Sequence, residues 1–246
     1  MNHVNIEERG ELALVRIDRP PANALYLELL EEGRQALEEL AAAQPGAVVL
    51  TGRDGFFSAG VDLKLAPTLD AAGQRAMVEG INRLFTGWYS FPRPVVAAVN
   101  GHAIAGGLIL ALCADHRVGA GNGKLGLTEL RAGIGYPLGA MTVVRAELSP
   151  PAARQLVLQA ELVDPPEALA LGALDEVVDL DLVLPRALEL AEELAALPRD
   201  AYGRIKRQLR GEAIAALAGI SEDPLLDSWI PSEAGEAAAG ILDRGD

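Results

Sequence analysis

Residues 94–130 constrain the fold most, because two apolar runs there flank a glycine-rich segment. The run Val95–Val99 ends at an Asn-Gly pair, and a second run, 108–113, begins directly after Gly106 and Gly107. This order predicts a buried strand, a tight glycine turn and a buried helix. Glycines allow backbone N–H groups to approach a ligand, and a helix N-terminus adds unpaired amides. The turn therefore suits a developing oxyanion, although close helix packing alone would also explain these glycines.

An earlier part of the chain contains a second strand that opens into a glycine loop. Ala47–Thr51 is a short apolar strand, and the loop after it has three glycines before apolar residues return at Val61 and Leu63. Two such units can aim two backbone N–H groups at one carbonyl oxygen, an arrangement that stabilises acyl-transfer and enolate chemistry. The repetition favours an oxyanion site over plain helix packing.

The remaining pattern predicts an α/β protein, because strand and helix signatures alternate along the chain. Further strands are predicted over residues 12–17, 115–119 and 174–178, and helices over 26–43, 70–90, 149–159 and 164–172. Beyond residue 181 the pattern is helical, over 182–197, 200–217 and 233–242. The sequence therefore divides into an α/β core, residues 1–180, and a C-terminal helical region, residues 181–246.

Composition and charge exclude several classes of function. The 246 residues are 50% hydrophobic, which is ample for one large packed domain. The net charge of −14 argues against nucleic acid as a partner, because phosphate binding needs clusters of lysine and arginine. The sequence has no apolar run of about 18 residues, and residues 1–10 are too polar for a signal peptide. We therefore expect a cytoplasmic protein with no membrane partner.

Metal and nucleotide sites are also not predicted. Cys113 lies in an apolar run, and we expect a small core residue there rather than a nucleophile. The three histidines and this cysteine do not have the spacing of a metal cluster. Gly121, Gly123 and Gly126 spell the dinucleotide fingerprint, but more glycine and a proline follow instead of a helix.

Four blocks of the sequence resemble the crotonase superfamily, whose members process acyl-CoA thioesters. They are FSAGVDL at 57–63, NGHAIAGG at 100–107, LGLTELRAGI at 125–134 and EALALGALDEVV at 167–178. Their order and spacing match over about residues 10–180. The resemblance implies a crotonase-like spiral of repeated ββα units and a C-terminal α-helical trimerisation region, hence a homotrimer or a dimer of trimers.

The resemblance also implies the binding site. The backbone N–H groups of Val61 and Gly106 would form the oxyanion hole, and the acyl-CoA substrate would contact Gly106 and the loop Ala59, Gly60, Val61, Asp62 and Leu63. No cofactor is expected, since CoA is part of the substrate. Lysines are few, yet a local basic rim could still meet the CoA phosphates. From its place beside a glycine turn, Asp62 is expected to fix the loop by bonding nearby amides rather than to act as an acid.

The implied activity depends on carboxylates. Crotonase hydratases carry two glutamates, but Ile109 occupies the first position here and Glu129 the second. The monofunctional Δ3,Δ2-enoyl-CoA isomerases also lack the first glutamate, and they share the AGG turn and the G-L-x-E block. The resemblance therefore implies an enoyl-CoA isomerase with Glu129 as the catalytic residue, because one carboxylate suffices for a 1,3-proton shift. Such a base must lie in an apolar site, where burial raises its pKa toward neutrality.

Several alternatives remain open. The chain could be an enoyl-CoA hydratase, an acyl-CoA thioester hydrolase, or a degenerate CoA-binding or scaffold protein. Tyr136 is bulkier than the small residue expected before Pro137, which leaves acyl-chain length and extra hydrogen bonding undecided. His102 is expected to be packed and hydrogen-bonded rather than a wall of the site. The aromatic end of the helix 70–90, with Phe85, Trp88 and Tyr89, is interpreted as core in preference to an acyl pocket.

Overall fold

The computed structural model describes residues 1–53 and 55–231, in which strands and helices alternate. The strands are β1 (Val4–Arg9), β2 (Leu12–Ile17), β3 (Ala47–Thr51), β4 (Gly55–Ser58), β5 (Val95–Val99), β6 (Gly101–Ile104), β7 (His116–Ala120), β8 (Leu125–Gly126) and β9 (Glu176–Val178). The α-helices are α1 (Leu27–Ala43), α2 (Ala71–Tyr89), α3 (Gly106–Leu112), α4 (Leu138–Glu147), α5 (Pro150–Ala153), α6 (Pro165–Ala170), α7 (Val183–Ala195), α8 (Arg199–Leu209) and α9 (Gly211–Leu217). A π-helical turn, Arg154–Leu158, continues α5, and short 3-10 helices lie at Ala66–Thr68, Glu129–Ala132, Leu180–Leu182, Ile220–Glu222 and Pro224–Leu226. The predicted α/β class is confirmed.

The strands form two sheets that the chain visits in turn. The large sheet has the order β1-β2-β3-β5-β7-β9, and the small sheet has the order β4-β6-β8. Apart from the antiparallel β1–β2 hairpin, the pairs in both sheets are parallel. The chain passes from the large sheet to the small one three times, from β3 to β4, from β5 to β6 and from β7 to β8. This repetition is the predicted spiral of ββα units.

Alternating side chains explain why β3 and β5 are buried throughout. Val48 and Leu50 of β3, like alternate residues of β5, face the helical layer that contains α1 and α2. Ala47 and Val49 face the opposite way, into a second core cluster. Parallel strands in the centre of a sheet are covered on both faces, so their sequences are continuously apolar.

The helix α7 covers the second face of the large sheet. Its buried side chains, Val183, Ala187 and Ala191, recur at four-residue spacing and pack on β2, β3, β5 and β7. The first helix after residue 180 therefore shares a core with the preceding strands. The division into residues 1–180 and 181–246 stays a prediction. In the part of the chain that the structure describes, no helix is both long enough and apolar enough to cross a bilayer.

The structure corrects some predicted boundaries. The helix predicted over 200–217 is two helices, α8 and α9, separated at Arg210. The glycine turn predicted after β5 contains the strand β6, and α3 starts at Gly106, two residues before the predicted start. The sequence did not indicate β1, because most of its residues are polar and exposed at the sheet edge. The helix predicted over 233–242 lies outside the described residues.

Candidate active site

A cavity of about 600 Å³ lies where β4 and β6 end. It is lined by residues from the loop after β4, from α2 and α3, from the 3-10 helix after β8 and from the chain after α9, including Ala59, Val61, Asp62, Leu63, Gly106, Ile109, Glu129, Tyr136 and Trp229. The structure therefore brings the predicted site residues together. Gly60 does not line the cavity, and its contribution is to the shape of the loop.

The two glycine turns lie side by side because β4 and β6 are parallel neighbours. Gly60 has φ +76°, and a Cβ atom there would lie 2.9 Å from the Gly106 nitrogen and 2.7 Å from the Ala105 Cβ. Only glycine fits this close approach. Neither the Val61 nor the Gly106 N–H donates to another backbone group among the described residues. Both amides are thus available beside the cavity, as an oxyanion hole requires.

The segment before α1 holds the first glycine loop in place. The N–H of Ala59 donates to the Ala22 carbonyl at 2.9 Å, and the N–H of Leu25 donates to the Gly60 carbonyl at 2.7 Å. The N–H of Asp62 then donates to the Leu25 carbonyl at 3.0 Å. These bonds run on both sides of Val61 and leave its N–H free to face the cavity.

Asn23 is a structural residue of the site that the sequence analysis did not single out. Its side chain is fully buried, and its amide nitrogen donates to the carbonyls of Phe56 and Phe57 at 3.1 Å each. The Ser58 hydroxyl donates to the Asn23 carbonyl at 2.8 Å. Asn23 therefore ties the end of β4 to the loop before α1. The only signal in the sequence is a single polar residue in the short PPANAL connection.

Asp62 fixes the loop, as predicted. One carboxylate oxygen is 3.0 Å from the Arg19 guanidinium, and the other accepts bonds from the N–H groups of Lys64 and Leu65 at 3.1 and 3.2 Å. Both oxygens are engaged, and the side chain is 15% exposed. Asp62 is thus held as a structural anion beside the cavity and is poorly suited to move protons.

Glu129 lies at the start of its 3-10 helix with its carboxyl group enclosed. Its Oε2 atom is buried and has no hydrogen-bond partner within residues 1–53 and 55–231. Burial raises the pKa of Glu129 to about 7, although the Tyr136 hydroxyl and the Glu129 N–H oppose the rise. A carboxyl group with a pKa near neutrality is matched to a general base that also returns the proton.

Ile109 forms an apolar wall of the cavity. It projects from the first turns of α3 and is 1% exposed. Of the carboxylates that line the cavity in the described ranges, Asp62 is bound to Arg19 and Glu129 has a free oxygen. The site therefore presents one available carboxylate.

Cys113, His102 and Lys206 have structural roles. Cys113 is buried in the core, where burial raises the pKa of its thiol. The His102 ring stacks on Phe56 at 4.8 Å, and its Nδ1 accepts a bond from the Lys124 N–H at 3.2 Å, so the packed interpretation is correct. Lys206 cannot contribute to a basic rim, because it is buried and 2.7 Å from Asp115.

The three aromatic residues at the end of α2 do not all have the same role. Trp88 and Tyr89 are core residues and do not line this cavity, which agrees with the preferred interpretation. Phe85 is also buried, but it lines the cavity near Gly106. One ring of the three is therefore placed to contact an acyl chain, and the expectation of plain core is incomplete there.

The ββα spiral, with two glycine turns meeting at a cavity, defines the crotonase class of fold. The chain belongs to the enoyl-CoA hydratase/isomerase family, whose model matches residues 7–222. A putative enoyl-CoA hydratase of Thermus thermophilus is 37% identical over 95% of this chain and 94% of its own. The mitochondrial enoyl-CoA delta isomerase 1 of Mus musculus is 31% identical over 84% of this chain and 73% of its own. The human mitochondrial Δ3,Δ2-enoyl-CoA isomerase superposes with a TM-score of 0.89 at 28% identity, covering 98% of this chain and 97% of its own.

Proposed function

We propose that the protein is an enoyl-CoA isomerase that moves the double bond of a 3-enoyl-CoA to the 2 position. The observation that carries this proposal is one buried, unpaired carboxylate oxygen of Glu129 in a cavity that also contains two free amides and the apolar Ile109. The names of the mouse and human relatives support the same reaction.

The proposed reaction uses one base and two backbone donors. The thioester oxygen accepts hydrogen bonds from the N–H groups of Val61 and Gly106, while Ala59, Val61, Asp62 and Leu63 line the CoA side. Glu129 removes a proton from C2, and the amides hold the negative oxygen of the resulting dienolate. The protonated Glu129 then returns the proton at C4, which leaves the double bond between C2 and C3. The cycle consumes no water and needs no cofactor.

Hydration of 2-enoyl-CoA is the second candidate, and the name of the Thermus relative favours it. Hydration requires a group that activates water and a group that donates a proton. With Ile109 in the cavity wall, a water molecule has one polar partner fewer than between two glutamates. The single free carboxylate therefore favours isomerisation over hydration.

The test is to incubate the purified protein separately with 3-enoyl-, 2-enoyl- and saturated acyl-CoA and to identify the products. A conjugated 2-enoyl thioester formed from the 3-enoyl substrate is the expected result. Faster formation of 3-hydroxyacyl-CoA from the 2-enoyl substrate would replace the proposal with a hydratase. Free CoA from the saturated substrate would indicate a thioester hydrolase, and binding without any product would indicate a degenerate CoA-binding protein.

Assembly and location complete the proposal. We infer a homotrimer or a dimer of trimers, from the resemblance of the C-terminal helical region to that of crotonases. We also infer that the enzyme acts in the cytoplasm on small-molecule acyl-CoA, without a nucleic acid or membrane partner.

A further inference from the structure

Tyr136 lies in the loop between the Glu129 3-10 helix and α4, and its ring lines the same cavity as Glu129. The Tyr136 hydroxyl is buried and, among the residues described, has no hydrogen-bond partner. The Oε2 atom of Glu129 is likewise buried and without a hydrogen-bond partner among these residues. Two residues that line one cavity thus each carry a buried, unpaired polar atom, although buried polar atoms in proteins are nearly always paired.

The chemistry of the two groups sets the direction of a bond between them. An ionised carboxylate only accepts hydrogen bonds, whereas a phenol donates one. Burial, followed by the nearby Glu129 carboxyl, raises the pKa of Tyr136, so the phenol keeps its proton while Glu129 ionises. In the opposite direction, the hydroxyl lowers the pKa of Glu129 against the effect of burial.

We propose that the Tyr136 hydroxyl is a positioning group, which donates a hydrogen bond to the ionised Glu129 carboxylate. Both residues line the same cavity, and neither Oε2 of Glu129 nor the Tyr136 hydroxyl forms a hydrogen bond within the described residues. In the proposed bond, the side chains rotate to join these two atoms when Glu129 loses its proton. One carboxylate oxygen is then held by the phenol, and the other is left to reach C2 and C4 of the substrate.

The phenol keeps its own proton throughout the cycle. When Glu129 takes the proton from C2, the carboxyl becomes neutral and the bond from Tyr136 weakens. When the proton returns at C4, the carboxylate and the stronger bond form again. The phenol therefore favours the state in which Glu129 is ready to act as a base.

Other charged groups near Glu129 are few. In the described residues, the titratable side chains on its own helix, on the π-helical turn packed against that helix and in the cavity loop are Arg131, Arg154, Asp62 and Lys64. Both arginines and Lys64 are exposed, and Asp62 is held in its ion pair. The helices α2 and α3 present apolar side chains to the cavity. Within residues 1–53 and 55–231, Tyr136 is the hydrogen-bond donor best placed to control the ionisation of Glu129.

The test variant is Tyr136→Phe, which keeps the aromatic wall and removes only the hydroxyl. Tyr202→Phe is the matched control, because Tyr202 lies on α8 and does not line this cavity. The primary measurement is a ¹³C NMR titration of the Glu129 carboxyl in glutamate-labelled protein, with the resonance assigned from its loss in Glu129→Gln. Losing a hydrogen bond to a charged group should raise the midpoint by about one pH unit in Tyr136→Phe. The control should titrate like the native protein.

The kinetic measurement is the pH profile of kcat/KM for 3-enoyl-CoA. Its acid limb should move upward by the same amount in Tyr136→Phe, which lowers the rate about tenfold below pH 6 and less above pH 8. An unchanged Glu129 titration in Tyr136→Phe would overturn the inference.

The inference rests on the proposed function only for the identity of the substrate atoms, and the two can fail separately. The NMR titration needs no turnover. A shifted titration in a protein that does not isomerise 3-enoyl-CoA would reject the proposed function and leave the role of Tyr136 standing. Isomerisation of 3-enoyl-CoA with an unshifted titration would support the proposed function and reject the role of Tyr136.

Discussion

Replacing Glu129 by glutamine should make the protein more stable and nearly inactive. Burial places the pKa of Glu129 at about 7 instead of 4.5. Each tenfold difference in proton affinity corresponds to about 1.4 kcal/mol, so ionising this carboxyl costs about 3 kcal/mol more in the folded protein than in the unfolded chain. Glutamine has nearly the same shape and carries no charge, and this cost is absent from the variant.

The sign of the effect defines its pH window. Between pH 4.5 and about 7 the folded protein binds the Glu129 proton more tightly than the unfolded chain does. Tighter proton binding therefore stabilises the native protein. This contribution to the free energy of unfolding is fully present below this pH window and is lost as the pH rises through it. The advantage of Glu129→Gln should be close to zero at pH 4.5 and reach about 3 kcal/mol at pH 8.

The assay is urea unfolding of the native protein and the variant at pH 5, 6, 7 and 8, at one protein concentration. Glu8→Gln is the matched control, because Glu8 is exposed on the edge strand β1. Isomerase turnover of Glu129→Gln should fall by about 10²–10⁴, the usual contribution of a general base. A stability difference that does not grow with pH, or a variant that is less stable than the native protein at pH 8, would refute the reasoning.

Three further predictions concern the oxyanion turn, the apolar wall and the assembly. In Gly106→Val the new side chain meets the Leu25 Cδ1 atom at 3.0 Å and displaces an amide donor, so turnover should fall about 10²–10³-fold; near-native turnover would argue against this oxyanion position. In Ile109→Glu a second carboxylate enters the cavity, and product analysis with 2-enoyl-CoA should detect hydration above the native level, with Ile109→Gln as the uncharged control. If the protein forms trimers or hexamers, light scattering at micromolar concentration should return three or six times the 25.8 kDa chain mass, and a monomer would exclude both.

The large sheet, except for its exposed edge strand β1, was predictable because its signal is local. The strands β2, β3 and β5 are runs of five or six mostly apolar residues, and their predicted bounds match the observed ones. The small sheet was not predictable in this way. The strand β6 is four residues long, begins with Gly101, and exists because its backbone pairs with β4 and β8. Such pairing joins residues 22 to 46 positions apart and leaves no periodic pattern in the sequence.

The site, like the two sheets, has some features with a local sequence signal and others without one. Local glycine patterns indicate the two turns, whereas the assignment of the free amides to Val61 and Gly106 came from the family resemblance. Glu129 has no local signal of its own, because a glutamate between threonine and leucine in a loop is typical of a solvated surface. Its position was inferred from the resemblance, and the cavity wall around it combines the nearby Tyr136 with Trp229, which is distant in the sequence.

The small sheet also explains how one scaffold supports different reactions. Its three strands end at one edge, and each is followed within three residues by one group of the proposed site, Val61 after β4, Gly106 after β6 and Glu129 after β8. The alignment of the three groups is therefore a property of strand register, which is set before any side chain of the site is chosen. A substitution in one of these loops changes one participant and leaves the other two aligned. Reaction type can thus diverge by single replacements, such as the residue at position 109, while the proposed oxyanion site for a thioester oxygen is inherited unchanged.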